Sequence, residues 1–293
     1  MSISLGKLGV WSFIDTYSAT EALNFARQIE AWGYSALWLP EAVGRDPFST
    51  IGYLVANTKT LIYATGIANI YARDAMSLNA IRHTLSEIAP DRFILGLGVS
   101  HAPLVTDIRG HDYKKPVTTM RNYLEAMDAS LYMGPAAESV APVVLGALRT
   151  NMLKLAANQA RGAHPYFVPP EHTAIARETM GNDAWLCPEQ MVMLETDKDK
   201  ARSVARQQME TYLGLPNYRN NLLALGFGED DFANGGSDSL VDAIVAWGDE
   251  DAIMRRIQAH WDAGADHVCI QALRSDGEMG PDLDLLGRLA PNQ

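Results

Sequence analysis

The sequence predicts an α/β protein folded as a closed (β/α)8 barrel, and three observations carry that prediction. Short apolar segments recur at eight places along the chain, helical patterns fill nearly every interval, and a helix–glycine–strand unit is repeated near both ends. Most of the apolar segments also lack polar alternation, as strands of a parallel sheet buried on both faces do. A doubly wound parallel sheet is the competing architecture. One barrel accounts for a chain of 293 residues, so residues 1–293 read as a single domain.

The first strand is expected near Leu8–Phe13. Ser18-x-x-Glu21 then forms a capping box, Ala22, Phe25, Ala26 and Ile29 follow at helical spacing, and Gly33 fits the helix stop. The second and third strands fall at Ala36–Leu39 and Leu61–Ile67. The fourth, Phe93–Gly98, is an apolar run too short for a typical helix. Gly96 and Gly98 remove side chains from it, and Val99-Ser100-His101 follows. That pattern suggests a surface that something flat can approach, or else a strand with two packing glycines. The fifth to seventh strands are expected at Val143–Ala147, Ala163–Val168 and Met191–Leu194.

Residues 213–247 break the rhythm, being far longer than a usual connection, and read as an insertion before the last strand. Asn234-Gly235-Gly236 marks a turn between short helices within it. The insertion either covers one end of the barrel or adds outer packing. Asp249 then caps a helix carrying Ile253, Ile257 and Trp261, Gly264 ends it, and His267–Ala272 is the eighth strand.

A net charge of −11 argues against a nucleic-acid or anionic-membrane surface, which needs clustered Lys and Arg. No run approaches the length of a membrane helix, and no secretory signal opens the chain, so a cytoplasmic protein is expected. Cys187 and Cys269 lie in apolar segments without CxxC spacing and read as buried reduced thiols. There is no HExxH, no GxSxG and no GxGxxG fingerprint, and His101, His111, His164 and His172 are too scattered to suggest a metal site.

In a (β/α)8 barrel the working residues lie at the C-terminal strand ends. Those ends are Trp11-Ser12-Phe13, Pro40-Glu41, Gly66 to Asn69, Gly98 to His101, Gly146 to Arg149, and His164-Pro165-Tyr166. Together they make a glycine-rich, aromatic mouth suited to a planar ring.

The segments GYSALWLPE, ATGIANIYAR and DRFILGLGVSH resemble the luciferase-like superfamily of flavin- and deazaflavin-dependent oxidoreductases, in order along nearly the whole chain. GAHPYFVPPEHTAIARE and VAWGDEDAIMRRIQAHWDAGADHVCIQ resemble an actinobacterial subgroup that uses coenzyme F420. The resemblance implies a non-prolyl cis peptide at Gly66-Ile67, or one residue later, with Gly66, Ile67 and Ala68 supporting the ring. It implies that Gly98, Val99, Ser100 and His101 edge the ring, and that Gly146, Ala147 and Leu148 offer backbone to the cofactor's chain. The helix opening near Asn151, with Arg149, would take its phosphate, and Tyr166 completes the cofactor set. Trp11, Phe13, Tyr71 and Arg73 are the candidate substrate contacts.

Two positions depart from the family pattern. Several relatives have a histidine after the acid of strand two, where this chain has Ala42. The candidate proton-transfer residues are therefore Glu41, His101 and His164. A common Ala-Asp-Gly before strand six is here Ala160-Arg161-Gly162. The implied activity is hydride transfer between F420 and an apolar or conjugated organic small molecule. The alternatives are an FMN-dependent monooxygenase using O2 and a non-catalytic flavin-binding barrel. Members of the family are often dimers, so the resemblance also implies a homodimer; helix faces that cover a barrel and faces that pair two barrels look alike in sequence.

Overall fold

Both faces of the strands are apolar because the sheet curls on itself, with one face turned to the barrel axis and the other to the helices. The computed structural model describes residues 3–292. Its elements run β1 (Leu8–Trp11), α1 (Ala19–Ala31), β2 (Ala36–Leu39), α2 (Pro47–Ala56), β3 (Ile62–Thr65), β4 (Ala68–Asn69), α3 (Ala75–Ile88) and β5 (Phe93–Gly98). After a π-helical turn at Leu104–Ile108 come α4 (Pro116–Asp128), β6 (Val143–Leu145), α5 (Thr150–Gln159), β7 (Gly162–Ala163), α6 (Pro170–Met180), β8 (Trp185–Leu186) and β9 (Glu189–Leu194). The chain ends with α7 (Lys198–Leu213), α8 (Pro216–Ala224), α9 (Asp238–Ile244), β10 (Val245–Gly248), α10 (Glu250–Asp262), β11 (Val268–Leu273) and α11 (Leu283–Arg288).

All strand pairs are parallel, in the order β10-β9-β11-β1-β2-β3-β5-β6-β7-β8, with β4 added beside β5. β8 and β9 are two halves of one barrel strand, parted at Cys187-Pro188. The first half pairs with β7 and the second with β11. Across the break, the Glu189 N–H donates to the Pro165 carbonyl and the Cys269 N–H to the Pro188 carbonyl, which closes the ring of eight.

Alternation along each strand separates two cores. Trp11, Trp38, Ile62, Ala64, Ile94, Val144, Cys187 and Cys269 point to the axis, where Ile3 and Leu5 join them. Val10, Leu37, Leu39, Tyr63, Leu95, Leu145 and Ile270 point outward to the helices. Both cysteines are buried and free.

The helix signals hold. Ser18 and Glu21 exchange both capping-box bonds, and Gly33 and Gly264 take positive φ after their helices. The Asp249 carboxylate accepts from the Ala252 N–H at 2.8 Å.

The first, third and fifth strands end two residues earlier than expected, and three larger differences stand beside these. The sixth strand is only Gly162–Ala163, because the chain turns away through Phe167 at φ 62 rather than staying extended to Val168. The seventh begins earlier, at Trp185, and is broken by Pro188, which has no N–H for the ladder. At the end of the 213–247 region, Val245–Gly248 is a strand paired to β9. Three apolar residues give too little pattern to mark it in sequence. The rest of that region packs its own core, with Phe232, Leu240, Val241 and Ile244 against Val204, Met209 and Leu213 of α7.

Candidate functional site

A cavity of about 960 Å³ opens at the C-terminal ends of the strands. That volume is at the upper end of the ~300–1,000 Å³ usual for small-molecule sites. Its wall takes Trp11 and Phe13 from the end of β1, Glu41 after β2, Gly66 and Ile67 after β3, and Gly98, Val99, Ser100 and His101 from the end of β5. Gly146, Ala147, Leu148 and Arg149 follow β6, and His164 and Tyr166 follow β7. All of these were candidates from sequence.

Three further candidates are elsewhere. Ala68 is buried in β4 and packs into the core between strands and helices. Tyr71 lies among the loop aromatics, its ring 6.1 Å from His111 and 6.2 Å from Tyr113. Arg73 turns away to bond Glu41 at 2.7 Å, to pair with Asp46, and to rest over the Phe48 ring. Arg73 and Tyr71 follow the strand-three bulge closely in sequence, but neither lines the cavity.

The bulge is the most constrained part of the mouth. The Gly66–Ile67 peptide is cis, the first of the two positions the resemblance implied. The Trp11 indole N–H donates to the Gly66 carbonyl at 2.8 Å, and the Glu41 N–H donates to the Ile67 carbonyl at 3.1 Å. One Glu41 oxygen accepts from the Asn69 N–H at 2.8 Å, while the other accepts from Arg73. Both oxygens of Glu41 are therefore committed to holding the bulge in place.

The glycines of β5 serve the same bulge. A Cβ on Gly96 would lie 1.8 Å from the Thr65 carbonyl oxygen, and one on Gly98 would lie 2.3 Å from Ile67 Cδ1. The Thr65 hydroxyl locks this approach by donating to the Gly96 carbonyl at 2.7 Å and accepting from the Gly96 N–H at 2.9 Å. The flat patch expected at this strand is thus filled at Gly96 by backbone and at Gly98 by Ile67. What faces the cavity is the backbone of the bulge and the Gly98–Ser100 edge.

The two histidines have different surroundings. His164 is fully buried, stacks on Trp38 with centroids 4.5 Å apart, and donates from Nδ1 to the Cys187 carbonyl at 2.7 Å. Its Nε2 is buried without a partner, behind Gly66, and burial pushes its pKa down to about 4. His101 bonds through Nδ1 to the Asn217 side-chain oxygen at 3.0 Å, with the Tyr218 ring 5.3 Å away. Nδ1–H donates in that bond, which leaves Nε2 as a lone pair without a protein partner among the described residues. Burial lowers the His101 pKa, against a smaller upward pull from Asn217, so the ring is neutral at pH 7.

On the β6 side, α5 begins at Arg149 with no side-chain cap, and the first ladder bonds run from Met152 and Leu153 back to Arg149. The N–H groups of Thr150 and Asn151 are thus free to meet an anion, in the cavity that Arg149 also lines. His172 of α6 steadies this loop by donating to the Leu148 carbonyl at 2.6 Å.

Sequence reasoning missed the far wall. Gln207, Thr211 and Tyr212 of α7, Asn217 and Tyr218 of α8, Gln271 of β11 and the loop Glu278–Pro281 all line the cavity. The start of the 213–247 region therefore covers the mouth, and its later part packs outside. Only Gln271 left a local trace, as a polar residue on the inward face of an apolar strand. Among the described residues, no three His, Cys, Asp or Glu side chains converge to hold a metal ion, and no helix is long and apolar enough to cross a membrane.

Known proteins share this architecture. The chain is 25% identical over 225 residues to the 5,10-methylenetetrahydromethanopterin reductase of Methanolobus tindarius, covering 66% of this chain and 68% of that one. Its fold matches an F420-dependent secondary alcohol dehydrogenase in complex with an F420-acetone adduct, at TM-score 0.75 and 14% identity, over 99% of this chain and 97% of the other. It also matches the oxygenating constituent of 3,6-diketocamphane monooxygenase from Pseudomonas putida, in complex with FMN, at TM-score 0.66 and 15% identity, over 97% and 98% of the two chains. Residues 7–267 match the family model for luciferase-like monooxygenases, and the chain belongs to that family.

Proposed function

We propose that this protein is an oxidoreductase that binds coenzyme F420 at the C-terminal mouth and moves a hydride between it and an apolar or conjugated organic substrate. The observation that carries the reading is the braced cis bulge at Gly66–Ile67, set in one cavity with the uncapped start of α5. A planar ring with a phosphate-bearing chain needs both a flat support and an anion site, and these residues fit it. Gly66, Ile67 and the Gly98–Ser100 edge would support the ring, Gly146 to Leu148 would follow the chain, and Arg149 with the Thr150 and Asn151 N–H groups would take the phosphate. Bound there, the deazaflavin supplies the carbon that carries the hydride.

The chain's own residues orient, exclude water and handle the proton. Trp11, Phe13 and the α7–α8 side chains close the mouth over an apolar interior. His101, neutral and fixed by Asn217, is the group we assign to proton transfer, because its Nε2 is left free at the cavity. Glu41 holds the bulge, and His164 has one nitrogen bonded and the other shielded.

The preference for F420 over FMN rests on the resemblance of the segments around Tyr166 and Gln271 to the F420-using subgroup. The test is spectroscopic titration of the purified protein with F420 and with FMN. Micromolar binding of F420 with none of FMN supports the reading; the reverse overturns it in favour of an FMN monooxygenase.

A further inference from the structure

The cavity has two unlike sides. Strands three to five present glycines and backbone, whereas strands six and eight with α7 present Tyr166, Gln271 and Tyr212. The Tyr166 hydroxyl lies 2.8 Å from the Tyr212 hydroxyl and 2.8 Å from Gln271 Oε1. A phenol has one proton. Gln271 Oε1 can only accept, and the Tyr166 hydroxyl is the donor toward both it and the Tyr212 oxygen, so its one proton is shared between two acceptors. Burial pushes the pKa of both phenols up, keeping each protonated.

This chain fixes the orientation of the carboxamide. Its oxygen is taken, so both Nε2 hydrogens point elsewhere, with no protein partner among the described residues, from a residue that lines the cavity. Opening on the cavity with its oxygen engaged, the amide offers these N–H groups to a ligand acceptor. Trp11 locates this donor relative to the bulge. Its ring is 5.0 Å from that of Tyr166, and its N–H holds the Gly66 carbonyl.

We propose that Gln271, oriented by Tyr166 and Tyr212, is a specificity residue that receives a carbonyl oxygen of the substrate. The substrate class is then an apolar carbonyl compound. The assignment rests on the reading of the cavity as a site for a ring cofactor plus an organic substrate, with the cofactor on the glycine side and the substrate oxygen on the tyrosine side.

The test compares acetophenone with ethylbenzene, which are alike in shape and differ in the carbonyl. Binding is followed by ligand-observed NMR, on the protein alone and on protein loaded with F420. Wild type is expected to favour acetophenone by about tenfold, the equivalent of one net hydrogen bond. Gln271→Leu and Gln271→Glu, checked for folding by circular dichroism, are both expected to abolish that preference. Equal binding of the two probes to wild type overturns the proposal. So does a preference that survives in both variants, or a substitution effect confined to coenzyme affinity. Failure of F420 to bind wild type would overturn the cofactor reading alone, because the probe comparison on unloaded protein still decides the role of Gln271.

Discussion

The indole N–H of Trp11 donates to the carbonyl oxygen of Gly66 at 2.8 Å, tying the end of the first strand to the cis peptide that follows the third. Trp11 is almost fully buried, so no solvent replaces the bond when it is lost. Trp11→Phe keeps the aromatic bulk and leaves the carbonyl unpaired, at a cost of about 1–3 kcal/mol. Urea unfolding should show that loss, and the F420 titration should show weaker binding. Unchanged values for both would remove Trp11 from the support of the bulge.

The two β5 glycines should fail in different ways. Gly96→Ala sets a methyl 1.8 Å from the backbone oxygen of Thr65, which cannot yield without opening the β3–β5 pair. Loss of soluble folded protein is expected. Gly98→Ala meets the end of the Ile67 side chain at 2.3 Å, which can move toward the cavity. The expected result is a folded protein whose coenzyme affinity falls by more than tenfold. A Gly98→Ala protein with normal affinity would contradict the ring placement.

Glu41 and Arg73 form a largely buried pair, with side chains 6% and 18% exposed. Arg73→Met leaves the carboxylate with only the Asn69 N–H and should destabilise the fold by about 3–5 kcal/mol. If Glu41 acts as a brace, Glu41→Gln should lower stability while the pH profile of turnover keeps its shape. His101→Gln should do the opposite, removing one limb of that profile with little change in the denaturation midpoint. A Glu41→Gln enzyme that loses the limb would return proton transfer to Glu41.

Acid should unfold the protein through its buried histidines. Burial pushes His164 and His267 down to about 4 and His260 to about 3, from the usual 6.5. The unfolded chain thus binds protons that the folded one does not, so this contribution is full above pH 6.5 and is lost as the pH falls toward 4. Glu189 works the other way. Burial raises it from 4.5 to about 8, so its contribution is present below pH 4.5 and is lost as the pH rises toward 8. Near pH 5.5 the buried histidines outnumber Glu189, so stability rises with pH there. Urea midpoints measured at pH 5 and 6.5 should differ accordingly; equal midpoints would contradict the burial of these groups.

The sequence determined the alternation of strands and helices, the capping box at Ser18 and Glu21 and the stops at Gly33 and Gly264, and its family resemblance narrowed the cis step to Gly66–Ile67 or the next bond. These features are encoded locally, in side-chain period, in the conformations glycine allows and in a short recognisable segment. The residues brought to the mouth by the strand ends were legible for the same reason, since closing eight parallel strands gathers their C-terminal ends on one side.

Tertiary structure alone decided what those residues touch. Arg73 and Glu41 are 32 positions apart, Tyr166 and Gln271 are 105 apart, and His101 and Asn217 are 116 apart. No local pattern carries such pairings. They appear when the barrel closes and the α7–α8 segment folds across its mouth. Closure also settled what the β5 glycines are for, because the space they leave is taken by Thr65 and Ile67 of a neighbouring strand, whose distance is fixed by backbone hydrogen bonding.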